Sequence, residues 1–245
     1  LKLQARKALK YLIFFLFYPL VFSMDKIKKY KFFQLAEIDI ERIGAPGPMV
    51  EGYLVAKNFF NHTNRNIIIF YFTSVKANSQ LTKMIKRVLP VSSFTLFFTS
   101  LHKALLFWKK KDHIFDLREV SLHTLFSQNK YPELIYEKPH LYFSKGEKEK
   151  GLELIKQFGI NSGNKWICFH NRDSSYLEKN FTSIDFSRHD YRDFSVNSLK
   201  EAAEFFASKG YFVLRMGKLQ KEQFITNNSK IIDYANSSLR SDFLD

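Results

Sequence analysis

Three polar clusters in the second half of the chain contain residue types that can bind phosphate or accept a proton. They span residues 170–173 (His-Asn-Arg-Asp), 215–218 (Arg-Met-Gly-Lys) and 233–236 (Asp-Tyr-Ala-Asn), and each follows a predicted strand. Arginine suits a pyrophosphate because its planar guanidinium makes paired, charge-assisted hydrogen bonds, and a neighbouring glycine lets backbone approach a ligand closely. Histidine and aspartate can accept a proton from a hydroxyl. The clusters therefore predict a pyrophosphate-binding site with acid–base groups beside it.

The polar segment 171–194 between the first two clusters is dense in charged and aromatic residues. Loops of this length are usually functional or disordered, and the interleaved Tyr and Phe residues argue against disorder. The candidate general bases are His170, Asp173 and His189. The candidate binding residues are Arg172, Tyr176, Arg188, Tyr191, Arg192, Arg215, Gly217, Lys218, Asp233, Arg240, Asp242 and, in the first half of the chain, Gly44. The alternative is an ordinary strand-end histidine among surface ion pairs of little energetic weight.

No sequence pattern predicts a metal site. The chain has no Asp-x-Asp on a strand-end loop, and the pairs Asp190/Asp193 and Asp242/Asp245 are weak candidates for a cation. Its one cysteine, Cys168, excludes a disulfide scaffold and a cysteine-based zinc site. We expect metal-independent chemistry without a cofactor.

The elements that position these residues alternate between strands and helices from residue 32 onward, as in a parallel sheet covered by helices. The predicted strands are 32–40, 66–73, 91–98, 165–170, 211–215 and 230–234, and the predicted helices are 49–59, 79–89, 101–110, 147–158, 195–209, 217–225 and one beginning at 238. In such folds ligands bind beyond the carboxyl ends of the strands, where the polar clusters lie.

We expect an α/β fold with two Rossmann-like domains, the second of them truncated because its last predicted helix has barely begun at Asp245. The predicted divisions are 1–31, a basic and apolar segment; 32–135, the N-terminal domain; and 136–245, the C-terminal domain. Residues 111–145, where Pro132 and Pro139 interrupt the periodicity, are the predicted crossing between the two domains.

Half of the net charge of +14 lies in residues 1–31, on both sides of the uncharged stretch 11–24. A helix over that stretch spans ~21 Å, short of the ~30 Å hydrocarbon layer. We expect an interfacial segment on an anionic membrane surface, with a helix buried on the domain or a tilted span completed upstream as alternatives. No nucleic-acid-binding fingerprint accompanies the remaining charge, so nucleic acid is not an expected partner.

Five blocks of the second half resemble, in order and spacing, a family of glycosyltransferases from bacterial surface-polysaccharide gene clusters. The blocks are residues 170–177, 185–193, 212–217, 232–235 and 240–243. The first half is similar only through residues 42–44, Glu51 and Tyr53, and Ala45 stands where the family pattern has histidine. The family pattern also continues past the last block.

The resemblance implies a GT-B-like enzyme in which the C-terminal domain binds a nucleotide-sugar donor and the N-terminal domain a glycan or lipid-linked acceptor. It implies that His170, Arg172 and Asp173 match the His-x-Arg motif of fucosyltransferase-like enzymes, whose arginine neutralises the departing diphosphate. Arg215 and Gly217 would line the same pocket. The expected location is the cytoplasmic face of the inner membrane.

Two other functions remain open from the sequence. One is a non-catalytic scaffold at a membrane surface that binds polyanionic glycan or lipid. The other is a phosphate-ester hydrolase or phosphotransferase, against which the chain has neither a phosphate-binding Gly-x-x-x-x-Gly-Lys loop nor a nucleophile-elbow motif.

Overall fold

The computed structural model describes residues 2–57, 66–73, 75–128 and 138–245, with backbone alone for residues 2–10. The chain divides into two compact units, Leu1–Phe143 and Ser144–Asp245. Each unit contains a three-stranded parallel sheet with helices packed on it, which confirms the α/β class at that level. The predicted domain division at 135/136 lies outside the described residues.

Unit 1 is a parallel sheet covered on both faces. Its helices are α1 (Lys2–Ile27), α2 (Pro46–Ala56), α3 (Ser79–Val88), α4 (Thr95–Phe107) and α5 (Leu122–Ser127), and its strands, in the order β1-β2-β3, are β1 (Phe32–Ile38), β2 (Asn66–Phe72) and β3 (Val91–Ser92). Successive strand residues point to opposite faces, so Ile38 and Phe70 pack with α2 and α3 while Leu35 packs with α1 and α4. The side chain of Asn78 caps α3.

Helix α1 packs on unit 1 with one face and exposes apolar side chains on the other. Phe14, Val21 and Met24 are buried against α4, whereas Leu12, Phe15, Leu16 and five other large apolar residues of the helix are exposed. Within the described residues, no helix combines the length and apolarity needed to cross a membrane. The packed-helix alternative is therefore confirmed for one face of α1, and the apolar opposite face is left open to solvent.

Unit 2 has a second parallel sheet with its own two-sided core. Its helices are α6 (Lys145–Lys156), α7 (Ser175–Asn180) and α8 (Lys200–Ser208), and its strands, in the order β4-β5-β6, are β4 (Trp166–His170), β5 (Phe212–Met216) and β6 (Ile231–Ile232). Ala203 and Val213 belong to the core under α8, and Ile160 and Leu214 belong to the core on the other face. Gly210, with a φ of +87°, follows α8 in the left-handed conformation that commonly ends a helix.

Three element predictions are wrong in ways that matter for the site. Residues 217–225 and the segment from 238 are irregular loops and turns instead of helices. The backbone N–H groups of Lys221 and Phe224 donate to Asp173 and Asp233, and that of Ser241 donates to the Tyr234 hydroxyl. The predicted strand 91–98 is confined to β3, and α4 begins at Thr95. The boundary between the two units, after Phe143, falls within the predicted crossing 111–145, and Leu117 and Val120 in the first part of that range are core residues of unit 1. The end of the predicted helix 49–59 and Pro132 lie outside the described residues.

Candidate functional site

A cleft of about 940 Å³ lies in unit 1 beside the carboxyl ends of β1 and β2. Its walls come from the residues that follow these two strands, from α4 and from residues 111–119. The charged or titratable residues that line it are Glu37, Asp39, Glu41, His102, Lys103, Lys111, Asp116, Arg118 and Glu119. Carboxylates outnumber the lysine and arginine cations there, so an acidic cleft lies within a strongly basic chain.

A chain of three polar side chains, Glu37, Tyr71 and His102, lies at this cleft. Glu37 and Tyr71 occupy paired positions of β1 and β2, so their side chains share one face of the sheet. The Tyr71 hydroxyl lies 2.5 Å from Nδ1 of His102 on α4, and it also hydrogen-bonds Glu37. Burial, together with Glu37, raises the pKa of Tyr71, which keeps the phenol neutral.

The hydrogen-bond directions along this chain follow from the proton count. A carboxylate only accepts, so the Tyr71 hydroxyl donates its one proton to Glu37. The Tyr71 oxygen then accepts from Nδ1–H of His102, which leaves the lone pair of the neutral imidazole on Nε2. Burial lowers the pKa of His102, and this favours the neutral ring. The arrangement can accept a proton from a hydroxyl bound in the cleft.

The pKa values of two carboxyl groups of the cleft are shifted in opposite directions. Burial and the neighbouring Asp39 and Glu37 raise the pKa of Glu41. The Arg118 guanidinium, with Nε–Oδ1 and Nη2–Oδ2 distances of 2.8 and 2.6 Å, lowers the pKa of Asp116. The cleft therefore offers a more readily protonated carboxyl group and a firmly ionised one.

Arg215 of unit 2 is completely buried and is not placed as the sequence predicted. Its guanidinium donates to Asn171 Oδ1 (3.0 Å), Asp233 Oδ1 (3.0 Å) and Gln220 Oε1 (2.8 Å). The second Asp233 oxygen accepts from the Phe224 backbone N–H at 2.9 Å. Arg215 and Asp233 thus tie together the loops that follow β4, β5 and β6, and their placement is that of positioning residues.

Gly217 serves the same network. Its φ of +148° disfavours any side chain, and a Cβ atom would lie 2.8 Å from Cδ of Gln220. The absence of a side chain lets Gln220 fold back onto Arg215. The glycine is required for internal packing, which is a different reason from the predicted approach to a ligand.

Arg172 and Asp173 also hold the segment 171–194 in place. Nη1 of Arg172 donates to the His189 carbonyl at 2.7 Å and pairs with Asp193. The two Asp173 oxygens accept from the Ser175 N–H (3.0 Å) and the Lys221 N–H (2.9 Å), which joins the loops after β4 and β5. Each Asp173 oxygen therefore accepts a backbone N–H, and its predicted role as a general base stays a prediction.

The candidates near the C-terminal end of the described chain pair with one another. Nζ of Lys218 lies 2.9 Å from Asp242 Oδ1, and Nη2 of Arg240 lies 2.9 Å from the same oxygen and also contacts Asp245. Burial raises the pKa of Asp245. Carboxylates of the chain itself thus partly neutralise these cations.

The remaining predicted residues of unit 2 are more open to solvent. His170, Arg188, Tyr191 and Arg192 are exposed, and the Arg192 guanidinium lies 5.7 Å from the centre of the Tyr191 ring. Nε of Arg188 lies 3.3 Å from Nε2 of His189. Two further candidates are half-buried Tyr176 and, in an exposed turn of unit 1, Gly44. Arg188 and Arg192 are thus the exposed arginines among the candidate binding residues of segment 171–194, and Arg172 is more buried.

Sequence reasoning missed the cleft of unit 1. Residues 37–41 alternate acidic and isoleucine residues at the end of β1, and this period of two places successive carboxyl groups on one face of an extended chain. That alternation was a readable signal. Nothing in the spacing of Tyr71 and His102 foretold their contact, because β2 and α4 meet only in the folded unit.

Comparisons with protein-family models, with curated proteins and with solved structures found no match for this chain.

Proposed function

We propose that the protein is a glycosyltransferase of the GT-B plan, built from two Rossmann-like domains. A nucleotide-sugar donor binds at the strand ends of unit 2, and the acceptor hydroxyl, on a glycan or lipid-linked sugar, binds in the cleft of unit 1. The observation that carries the proposal is the chain of Glu37, Tyr71 and His102 at the cleft, which leaves one imidazole nitrogen ready to accept a proton. The resemblance of the blocks between residues 170 and 243 supports the choice of donor.

The proposed reaction breaks the bond between the anomeric carbon and the diphosphate, and the diphosphate leaves with the electron pair. The acceptor oxygen forms the new bond to that carbon and transfers its proton to Nε2 of His102. Tyr71 and Glu37 hold the ring and stabilise its charged form as the proton arrives. Positive groups near the leaving diphosphate stabilise the charge that develops there.

The diphosphate contact is assigned to exposed cations instead of buried ones. Arg188 and Arg192 lie on the short 3-10 helix Ser187–Arg192, which Arg172 anchors through the His189 carbonyl. Exposed guanidinium groups on an anchored turn can form paired hydrogen bonds to phosphate without breaking internal ion pairs. Arg172 and Arg215 act in this scheme by positioning that turn and the neighbouring loops.

Helix α1 is the proposed membrane contact. Its exposed face carries Leu12, Phe15 and Leu16, and residues 26–31 add four lysines beyond its apolar stretch. Apolar side chains at the acyl boundary with lysines on anionic headgroups would hold the protein on the cytoplasmic face of the inner membrane. Lipid-linked acceptors would be met at that surface.

A panel of nucleoside diphosphates tests the proposal against the scaffold alternative. Thermal unfolding of the protein is followed with each nucleotide and with tripolyphosphate as a polyanion without a base. We expect one nucleotide to stabilise the protein selectively, and the variant Arg188→Ala/Arg192→Ala to lose that response while Lys179→Ala, an exposed cation of α7, keeps it. An equal response to every polyanion would contradict the transferase and support a polyanion-binding scaffold.

A further inference from the structure

We propose that Asp25, Asp112 and His113 form a binding site for a divalent transition-metal ion, with Zn²⁺ as the best-matched ion. Among the described residues, these three place one potential ligand atom each within 4.8 Å of one another. Asp25 lies in the last turn of α1, and the other two lie in the 3-10 helix Lys111–His113 that follows α4. The site is separate from the residues assigned to transfer and does not depend on the proposed function.

The decisive observation is the state of the His113 ring. The side chain is completely buried, and Nδ1 lies 2.7 Å from the Phe33 carbonyl oxygen. A carbonyl only accepts, so Nδ1 carries a proton, and in the neutral form of the ring the lone pair lies on Nε2. Nε2 is fully buried and has no hydrogen-bond partner in the described part of the chain. Metal-binding histidines commonly donate from the other ring nitrogen to a carbonyl in this way.

The nearest carboxylate completes the geometry. Asp25 Oδ1 lies 3.5 Å from His113 Nε2, too far for a good hydrogen bond. Two ligand atoms at ~2.0 Å from a tetrahedral ion are separated by ~3.3 Å, so the observed separation is close to that between two ligands of one zinc ion. With the ring neutral, the Nε2 lone pair faces a carboxylate oxygen, and a metal ion between the two atoms would bind both.

Two lysines pair with the carboxylates of the site, each through one carboxylate oxygen. Lys110 pairs with Oδ2 of Asp25, the oxygen that does not face His113, and Lys28 pairs with Oδ2 of Asp112. Both ammonium groups are partly exposed on flexible stems, so they can shift as the ion enters. The Lys110 contact resembles the outer hydrogen bonds that orient metal-binding carboxylates.

The ligand set selects the class of metal. One imidazole nitrogen and two carboxylate oxygens suit Zn²⁺ and related transition ions, whereas Mg²⁺ and Ca²⁺ prefer oxygen ligands alone. The ion would join the last turn of α1 to the segment after α4. A bound ion would therefore hold the lysine-rich C-terminal end of α1 against the 3-10 helix that follows α4.

Calorimetric titration of the metal-free protein with ZnCl₂ tests the proposal, with MgCl₂ titrated in parallel. We expect saturable binding of one Zn²⁺ per chain and no comparable binding of Mg²⁺. Asp112 is exposed, so Asp112→Asn should leave the fold intact and weaken Zn²⁺ binding at least ~10-fold, the scale seen when groups around a metal site are changed. Glu153→Gln, another exposed carboxylate paired with a lysine, should bind Zn²⁺ as the wild type does.

A second measurement, limited proteolysis, uses the same Asp112→Asn variant, in which the buried His113 side chain is unchanged. Limited proteolysis of α1 should slow when Zn²⁺ is added to the wild type and should not change for Asp112→Asn. The absence of saturable Zn²⁺ binding would overturn the proposal and leave His113 as a histidine facing Asp25 without a metal. Equal binding by the wild type and Asp112→Asn would also overturn it, because the ion would then lie elsewhere.

Discussion

At the scale of single residues, the proposed transfer chemistry depends on the protonation of His102. Burial lowers its pKa below the ordinary value of 6.5, so the ring stays neutral at neutral pH and binds a proton only at lower pH than a free imidazole does. Because the unfolded chain binds that proton first, the contribution of neutral His102 to stability is complete above pH 6.5 and is lost on acidification.

NMR titration of the histidine side chains measures this directly. The resonance that disappears in His102→Gln should titrate with a midpoint below 6.5 in the wild type. Tyr71→Phe removes the hydrogen bond to Nδ1 and should change that midpoint, since the partner of the ring is then missing. A wild-type midpoint above 6.5 would contradict the described burial.

Arg215 is the residue whose loss should cost unit 2 most among the candidates. Arg215→Met leaves Asp233, Asn171 and Gln220 without their buried partner, and breaking such a pair typically costs ~3–5 kcal/mol. Urea unfolding of the wild type and the variant gives the difference. Arg188→Met, at an exposed position, is the matched control, and an Arg215→Met protein as stable as that control would show that the network is dispensable.

Residue identity alone predicted part of the site. Arginine, aspartate and glycine after parallel strands do gather at one edge of the unit 2 sheet, as the spacing indicated. The sequence could not show that Arg215 turns inward while Arg188 remains exposed, because burial depends on which carboxylate lies within reach. Asp233, which follows the neighbouring strand β6, supplies that partner.

At the scale of elements, the contact between α2 and the segment before α5 requires a glycine. A Cβ on Gly52 would lie 2.6 Å from the backbone nitrogen of Leu122 and closer still to the carbonyl oxygen of Val120. Gly52→Ala should therefore destabilise unit 1 by ~1–3 kcal/mol through overpacking. Gly47→Ala in the same helix meets nothing within 4 Å and should leave the free energy of unfolding unchanged or raise it.

The exposed face of α1 gives an element-scale prediction about membranes. Phe15→Ser/Leu16→Ser should reduce co-sedimentation with anionic lipid vesicles at least ~10-fold, since burial of each large apolar side chain is worth ~1.5–3 kcal/mol. Leu152→Ser changes an equally exposed leucine on α6 and should have no effect. Vesicle binding that is unchanged in the α1 variant would contradict the proposed contact.

The sequence predicted buried elements better than polar ones. Strand β2 and helix α3 were predicted within one residue, because runs of β-branched residues and an amphipathic period are set by the core. Residues 217–225 were wrongly predicted as a helix, since their backbone bonds to Asp173 and Asp233. Contacts of that kind join residues distant in sequence and leave no local pattern.

At the scale of the whole molecule, the net charge differs from one region of the chain to another. Half of the net charge of +14 lies in residues 1–31, whereas segment 171–194 has four Lys and Arg residues against five Asp and Glu residues, and the cleft of unit 1 is acidic. A phosphate-bearing donor would be repelled by that cleft, and a neutral acceptor sugar would be tolerated. The acidic cleft therefore suits the proposed acceptor better than the proposed diphosphate donor.

Release of nucleoside diphosphate from a panel of nucleotide sugars, with water as the acceptor, tests whether the protein is a glycosyltransferase with His102 as its general base. We predict that the wild type hydrolyses one of them and that His102→Gln lowers the rate ~100-fold or more without weakening nucleotide binding. The exposed control Lys179→Ala should behave as the wild type. No release from any nucleotide sugar would contradict the proposed transferase. Equal rates for the wild type and His102→Gln would contradict the proposed role of His102.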